Sequence, residues 1–328
     1  MKTTKLTRRQ VLQSSALAGI TSMLAGIKPT LAGPTDKPLL ETPPLTRQEV
    51  AAIESALGKK GTYHESQSVH TTALPRNDLK VTVKGESVPT TFGFGGWVSF
   101  KKTLEGDSTV MMSDTVLLEE EVNPLISVAQ ANGLEVSAIH NHFFYEQPRI
   151  FYMHLHGSGT TAELAQKYAA TIKQTKLYPA NQTGATAGRP AGEVFDIPAL
   201  DGIVKSFGAV NGPTYKYTIA REDLSVLAMG AEMTAAMGLN SWASFAGNKA
   251  SAHIAGDIAM LEHEVNPVIK ALRGNGLEVV ALHNHMLDDD PRIFFLHYFG
   301  SGPATQLAQG FRAALDELGK PDERPMKH

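Results

Sequence analysis

The sequence predicts an α+β fold made of two tandem homologous halves. Each half is a mostly antiparallel sheet with interspersed helices, and a pseudo-twofold axis relates the two. Three observations carry this expectation. First, Glu121–Gly159 aligns without gaps on Glu264–Gly302 in a register of 143 residues, with 22 identities in 39 positions. Second, upstream the match continues in a register of 145, LPRNDLKV (Leu74–Val81) on IAREDLSV (Ile219–Val226) and GGWVSF (Gly95–Phe100) on NSWASF (Asn240–Phe245). The shift places a loop of different length between Phe100 and Asp114. A period this long marks a duplicated domain, not a solenoid repeat. Third, strand-like runs outnumber helical ones in each copy and lie close enough to pair as hairpins.

The elements follow in order. Residues 1–32 read as a twin-arginine export signal: TRRQVLQ (Thr7–Gln13) carries Arg8–Arg9, a short apolar run spans Ala16–Ile27, and small residues around Ala32 suit cleavage. The run is too short and too rich in Gly, Ser and Thr for a permanent membrane span. A proline-rich lead-in occupies 33–44. The first repeat covers 45–175. It opens with a helix over Leu45–Gly58, with Thr46 as its cap. LKVTVKGESV, WVSFKK and STVMMSDTVLL are strand candidates. EEEVNPLISVAQANG is a helix, with Pro124 suited to its first turn and Asn132–Gly133 to its stop. LEVSAIHNHFF and RIFYMHLHG are strands joined by a short turn through Glu146–Pro148, and TTAELAQKYAATIK closes the copy as an amphipathic helix. A Gly/Pro/Thr-rich linker follows at 176–195, and the second repeat occupies 196–320.

Composition narrows the function. Hydrophobic residues make up 42% and charged residues 19%, as in a folded protein. Removal of residues 1–32 takes away Lys2, Lys5, Arg8, Arg9 and Lys28, leaving 25 − 33 = −8 formal charges. Such a chain has no footprint for nucleic acid. With no cysteine, disulfides, iron–sulfur clusters and thiolate metal sites are excluded. Any metal must be held by His, Asp, Glu or backbone.

Histidine spacing supplies the candidate site. AIHNHFFYEQPRIFYMHLHGSG places His140, His142, His154 and His156 within one hairpin. Alternation puts His140 and His142 on one face of the first strand, and His154 and His156 on one face of the next. A turn centred near Gln147 sets His140 opposite His154, close enough for three imidazoles to share a zinc-type ion. The second copy keeps His283, His285 and His297 and has Phe299 in place of His156. Three histidines leave an open coordination position, as catalysis requires. Glu121 and Glu264 are candidate carboxylate ligands or general bases. Asp114 and Asp257 also recur. The alternative for the histidines is a buried polar network or a metal-free substrate site. Arg76–Asp78 and Arg221–Asp223 suit either local ion pairs or an anionic substrate. Trp97 and Trp242 suit core packing or ligand stacking. GSG at Gly157–Gly159 and Gly300–Gly302 suits an anion cradle or a tight turn.

PRNDLKV, SDTVLLEEEVNP, GLEVSAIHNHFF and PRIFYMHLHG together resemble the LppY/LpqO family, exported bacterial proteins of unassigned function. The resemblance covers about residues 45–315, includes both copies, and implies an envelope protein. It supplies no catalytic residues. The usual glycine before the aspartate is Ser113 in the first copy and Gly256 in the second.

The expected protein is thus an exported, periplasmic, metal-dependent enzyme using zinc or another divalent transition metal. Its expected reaction is hydrolysis of a small-molecule or envelope substrate. First-copy histidines would bind the metal, and the second copy would be a second site or a degenerate one. A non-catalytic metal-binding protein and a small-ligand-binding module are the alternatives. The expectation includes no nucleic-acid partner and is compatible with an oligomer.

Overall fold

The computed structural model describes residues 40–173, 175–177 and 188–322. The expected leader and most of the expected linker lie outside these residues. The first half runs α1 (Arg47–Leu57), β1 (Thr62–His64), β2 (Val69–Pro75), β3 (Val81–Val83), β4 (Glu86–Val88), β5 (Gly95–Lys102), β6 (Thr109–Leu118), α2 (Glu119–Ala131), β7 (Glu135–His140), β8 (Glu146–Gln147), β9 (Ile150–Gly159) and α3 (Thr161–Ile172). The second half runs α4 (Ala191–Val194), α5 (Ile197–Val204), β10 (Ala209–Asn211), β11 (Thr214–Ala220), β12 (Val226–Ala228), β13 (Ala231–Met233), β14 (Asn240–Gly247), β15 (Ala252–Met260), α6 (Val265–Gly274), β16 (Glu278–His283), β17 (Phe294–Gly302) and α7 (Ala304–Leu315).

The duplication read in the sequence is a duplication of topology. Each half builds a six-stranded antiparallel sheet, in order β1-β2-β5-β6-β9-β7 and β10-β11-β14-β15-β17-β16. Local signals set the ends of the elements. Thr46 and Glu49 form a reciprocal capping box at α1. The strand expected over LKVTVKGESV is instead the hairpin β3–β4, because Lys84 and Gly85 turn the chain at positive φ of 51° and 82°. Helix α2 begins at Glu119, so Pro124 lies inside it, not in its first turn. A short helix, α4, occupies the end of the expected linker, with Ala191 buried.

Alternation along the central strands explains the layering. On β6, Met111 and Leu117 face Leu125, Leu164 and Tyr168 of α2 and α3. Val110, Met112 and Val116 face the other way, into two cores shared between the halves. One shared core joins Val69 and Val110 to Met233 and Phe295; the other joins Phe92 and Phe143 to Ala255 and Phe299. The order is therefore helices, sheet, sheet, helices. Each buried Phe or Met contributes roughly 1.5–3 kcal/mol, and the two repeats cannot separate without exposing these cores. They belong to one compact unit. Among the described residues, no helix is long and apolar enough to cross a membrane.

One pseudo-symmetric difference tests this packing. Ser113 pairs with Leu155, whereas its equivalent Gly256 pairs with Tyr298. A Cβ at Gly256 would lie 2.1 Å from the Trp242 carbonyl and 2.3 Å from the Tyr298 hydroxyl. Tyr298 donates that hydroxyl to the same carbonyl at 3.2 Å. Gly256→Ser should cost about 1–3 kcal/mol of unfolding free energy in urea melts. Addition of Tyr298→Leu should recover part of that loss by removing one of the two clashes.

Candidate metal centre between the halves

The inner faces of β7, β9, β16 and β17 carry the histidines to the interface between the sheets. The strand register differs from the expected one: His140 pairs with Tyr152, and His154 pairs with Ala138, across a bulge between Val136 and Ala138. The second half repeats this, with Ala281 opposite His297. A slip of two residues keeps every side chain on its face, so His140 and His154 still meet as diagonal neighbours. Their Nε2 atoms lie 2.8 Å apart. The chain leaves the strand after His140, so His142 and His285 approach from the following segments, not from the strands themselves.

The two copies do not form two sites. His140 stacks on His283 with ring centroids 3.7 Å apart, and His297 lies 4.9 Å from His140 and 5.0 Å from His283. One ring nitrogen from each of these three falls within 4.8 Å of the others. His154 lies beside this group, 5.4 Å from His283 between centroids. Imidazoles from both halves therefore gather at the interface: His140, His283 and His297 bring their ring nitrogens together, and His154 stands against His140.

Backbone carbonyls orient these rings. His154 Nδ1 meets the Ser113 carbonyl at 3.2 Å, and its equivalent His297 Nδ1 meets the Gly256 carbonyl at 3.1 Å. His283 Nδ1 lies 3.1 Å from the Asn284 carbonyl, and His140 Nδ1 lies 3.4 Å from that of Asn141. A carbonyl only accepts, so each Nδ1 carries the proton and each Nε2 presents a lone pair. This is the outer-shell arrangement that fixes the tautomer of metal-ligating histidine. Among the described residues, the buried Nε2 atoms of His283 and His297 have no hydrogen-bond partner. Burial, and then the neighbouring imidazoles, push His140, His154 and His297 well below the ordinary histidine range; burial lowers His283 to about 4.

The other expected residues are distributed differently. His142 stacks on His297 at 3.7 Å, and His285 lies tilted against His154 at 3.6 Å, so each packs on a histidine of the opposite half. His156 stands apart, 3.1 Å from Ser137 Oγ. Ser137 donates its proton to the His285 carbonyl, so it accepts from His156 and ties the halves together. Glu121 and Glu264 are not brought to the histidines. Glu121 accepts from Arg76 at 2.7 Å, and Glu264 accepts from Arg221 at 2.8 and 3.0 Å; both also accept the backbone N–H that starts the following helical turn. Arg76 and Arg221 further bind Asp78 and Asp223 through two bonds each, as local ion pairs. The GSG segments end β9 and β17, and at Gly157 the glycine admits Leu134 and Leu164, which would lie 2.9 Å from any Cβ.

The carboxylates that do approach the histidines are Asp114 and Asp257. Asp114 Oδ1 is 3.9 Å from His154 Nδ1, and Asp257 Oδ2 is 3.7 Å from His297 Nε2. Burial pushes Asp114 up to about 7; burial and then Asp114 push Asp257 up to about 8, while Lys216 pulls both down. These two, with His142 and His285, line a cavity of about 530 Å³ that also takes in Trp97 and Trp242.

The family model described as Domain of Unknown Function (DUF1259) matches this sequence twice, over residues 51–174 and 198–317. The chain belongs to this family. The matched regions are the two halves that share the histidine centre. No curated protein matches the sequence. Two solved structures are similar: a double-ringed trimeric shell protein of the RMM microcompartment and PduB, a trimeric bacterial microcompartment shell protein. They have 11% and 14% identity, cover 64% and 79% of this chain and 83% and 94% of their own, and give TM-scores of 0.17 and 0.18. Likeness this slight carries no argument about this DUF1259 chain.

Sequence reasoning missed the residues in which the two DUF1259 copies differ at the cavity. Lys216 occupies the position of Thr71, each paired to the equivalent serine of the next strand. Likewise Thr218 stands for Ala73 and Asn240 for Gly95. A search for recurrence passes over such positions because they do not recur. The recurring Asp114 and Asp257 did carry a signal, but nothing in the sequence tied them to the histidines.

Proposed function

We infer that this is a metal-dependent enzyme with one divalent transition-metal centre shared by both halves, held by His140, His154, His283 and His297. The observation that carries the reading is the facing pair of Nε2 atoms 2.8 Å apart, each with its Nδ1 committed to a carbonyl. Two lone pairs so placed repel unless a cation lies between them; the competing arrangement is the other tautomer of His140, whose Nε2–H would donate to His154. A proton would bury an imidazolium among further imidazoles, which already push one another below the usual histidine range. A zinc-type ion with N distances of about 2.0–2.1 Å needs ligand atoms about 3.3 Å apart; the nitrogens of His140, His283 and His297 lie within 4.8 Å of one another, and those of His140 and His154 are 2.8 Å apart.

A bound ion would supply Lewis acidity and an activated water. Asp114 and Asp257 line the cavity and lie within 4 Å of His154 and His297; raised to about 7 and about 8, they can exchange a proton with a reacting group near neutral pH. The cavity falls within the size range of small-molecule sites. The reaction class this favours is hydrolysis of a small-molecule or envelope substrate. The twin-arginine leader reading and the LppY/LpqO resemblance support an exported, periplasmic setting.

One observation favours the alternative of a non-catalytic metal holder: four imidazoles alone can fill a tetrahedral shell, as in structural sites. X-ray absorption on zinc-loaded protein separates the two. Four nitrogen ligands plus at least one oxygen, lost or exchanged on soaking with a small anion, supports the enzyme. Four nitrogens and nothing else would leave no position for chemistry and overturn it.

A further inference from the structure

The cavity beside the metal centre is asymmetric in charge although the fold around it is symmetric: the first-half wall adds Thr90 and Thr91, where the second half has Ala235 and Ala236, but the cation stands on the second-half wall. Its second-half wall carries Asn211, Lys216, Thr218 and Asn240. The matching first-half positions Thr71, Ala73 and Gly95 are smaller, and at Gly95 a Cβ would meet nothing within 4 Å. Lys216 is the single lysine or arginine among the residues lining the cavity. Its ammonium lies over the Trp242 ring, 4.6 Å from the centroid, and has no hydrogen bond or ion pair among the described residues. Asp114 and Asp257 stand near enough to influence it but outside ion-pair distance, and each has an oxygen within 4 Å of a histidine ring. A half-buried ammonium held on an aromatic face, aimed into a cavity, lacks the anion that would satisfy it.

We propose that the cavity binds a small organic anion, a carboxylate or a phosphate ester. Its charged end docks on Lys216 in the second-half wall, and its body occupies the space left by Thr71, Ala73 and Gly95. The opposite end then lies toward Asp114, Asp257 and the histidines. The proposal names a substrate class for the centre described above and rests on that reading. The anion subsite itself needs no metal.

The chain has two tryptophans and both line the cavity, so tryptophan emission reports its occupancy. Benzoate, phenyl phosphate, benzamide and benzylamine are titrated into metal-free and zinc-loaded protein. Both anions should perturb the emission saturably and bind roughly tenfold or more tighter than benzamide, as for one charge-assisted hydrogen bond. Lys216→Thr, which installs the first-half residue, should abolish that preference while leaving the far-ultraviolet circular dichroism unchanged. The swap Thr71→Lys/Lys216→Thr should restore it, because the cavity walls then exchange poles. Equal binding of benzoate and benzamide by the wild type, retention of the preference in Lys216→Thr, or tighter binding of benzylamine would each overturn the proposal. An anion preference present without zinc, beside a zinc centre that fails to load, would leave the anion site standing and remove the metal reading alone.

Discussion

Alanine at His283 or His297 is expected to empty the metal centre as completely as alanine at His140 or His154. The reason is that one ion is shared by residues 143 positions apart in sequence and adjacent in space. Wild-type protein purified without a histidine tag and loaded with zinc should hold one equivalent by mass spectrometry. Each of the four variants should fall toward none after dialysis. The drop in affinity should exceed the roughly 10–100-fold typical of losing an outer-shell partner, since a direct ligand is removed. His156→Phe, which copies the residue the second half already has, should keep the ion. Two equivalents in the wild type, falling to one in each variant, would mean independent sites in each half and would refute the shared centre. The variants also separate loss of metal from loss of fold: the four rings lie beside apolar cores that remain intact, so circular dichroism should be retained.

Much of the fold was legible because the duplication repeats its own signals. EVNP, NGLEV, HNH and PRIF each mark one element boundary, and finding them twice fixes the order of strands and helices in both halves. The inward orientation of His140, His154, His283 and His297 was legible for a simple reason: period-two alternation survives the two-residue register error. What could not be read was the partner of each inner face. A sheet buried on both sides shows the same apolar alternation whether a helix or another sheet covers it. The sequence therefore suggested two separate histidine sites, where sheet-on-sheet packing makes one. Glu121 and Glu264 illustrate the same limit from the other side. They recur, and acidic residues beside histidines suggest chemistry. Their recurrence instead reflects the buried guanidinium of Arg76 and Arg221, each of which needs a carboxylate after losing water. Local sequence carries the cap and the hairpin. It does not carry which carboxylate, Glu121 or Asp114, reaches across the sheet.

Metal-free protein is expected to lose stability steeply on mild acidification, and the loss follows from the same cluster. Seven imidazoles, His140, His142, His154, His156, His283, His285 and His297, are held below the ordinary histidine range, chiefly by burial. His156 and His283 are lowered to about 4. A chain that unfolds frees these rings to titrate near 6.5, so as pH falls the unfolded state takes up protons first. Their contribution is complete above about pH 7 and is lost progressively below 6.5. Asp114 and Asp257 act in the opposite sense. Their folded values, about 7 and about 8, lie above the usual carboxylate range, so protonation in that window favours the folded state. Between pH 6 and 5 the histidines outnumber the two aspartates, so unfolding takes up a net excess of protons from this cluster and stability falls with pH. Total stabilities of 5–15 kcal/mol are typical, so the urea midpoint of metal-free protein should fall clearly between pH 7.5 and 5.5. Zinc should oppose this, because it binds the neutral rings and is absent from the unfolded chain; a thousandfold excess over its dissociation constant adds roughly 4 kcal/mol. Urea melts at pH 7.5, 6.5 and 5.5, with and without zinc, measure both effects. A midpoint independent of pH without zinc would mean that these rings already carry protons in the folded state, and the lone-pair argument for a metal would fall with it.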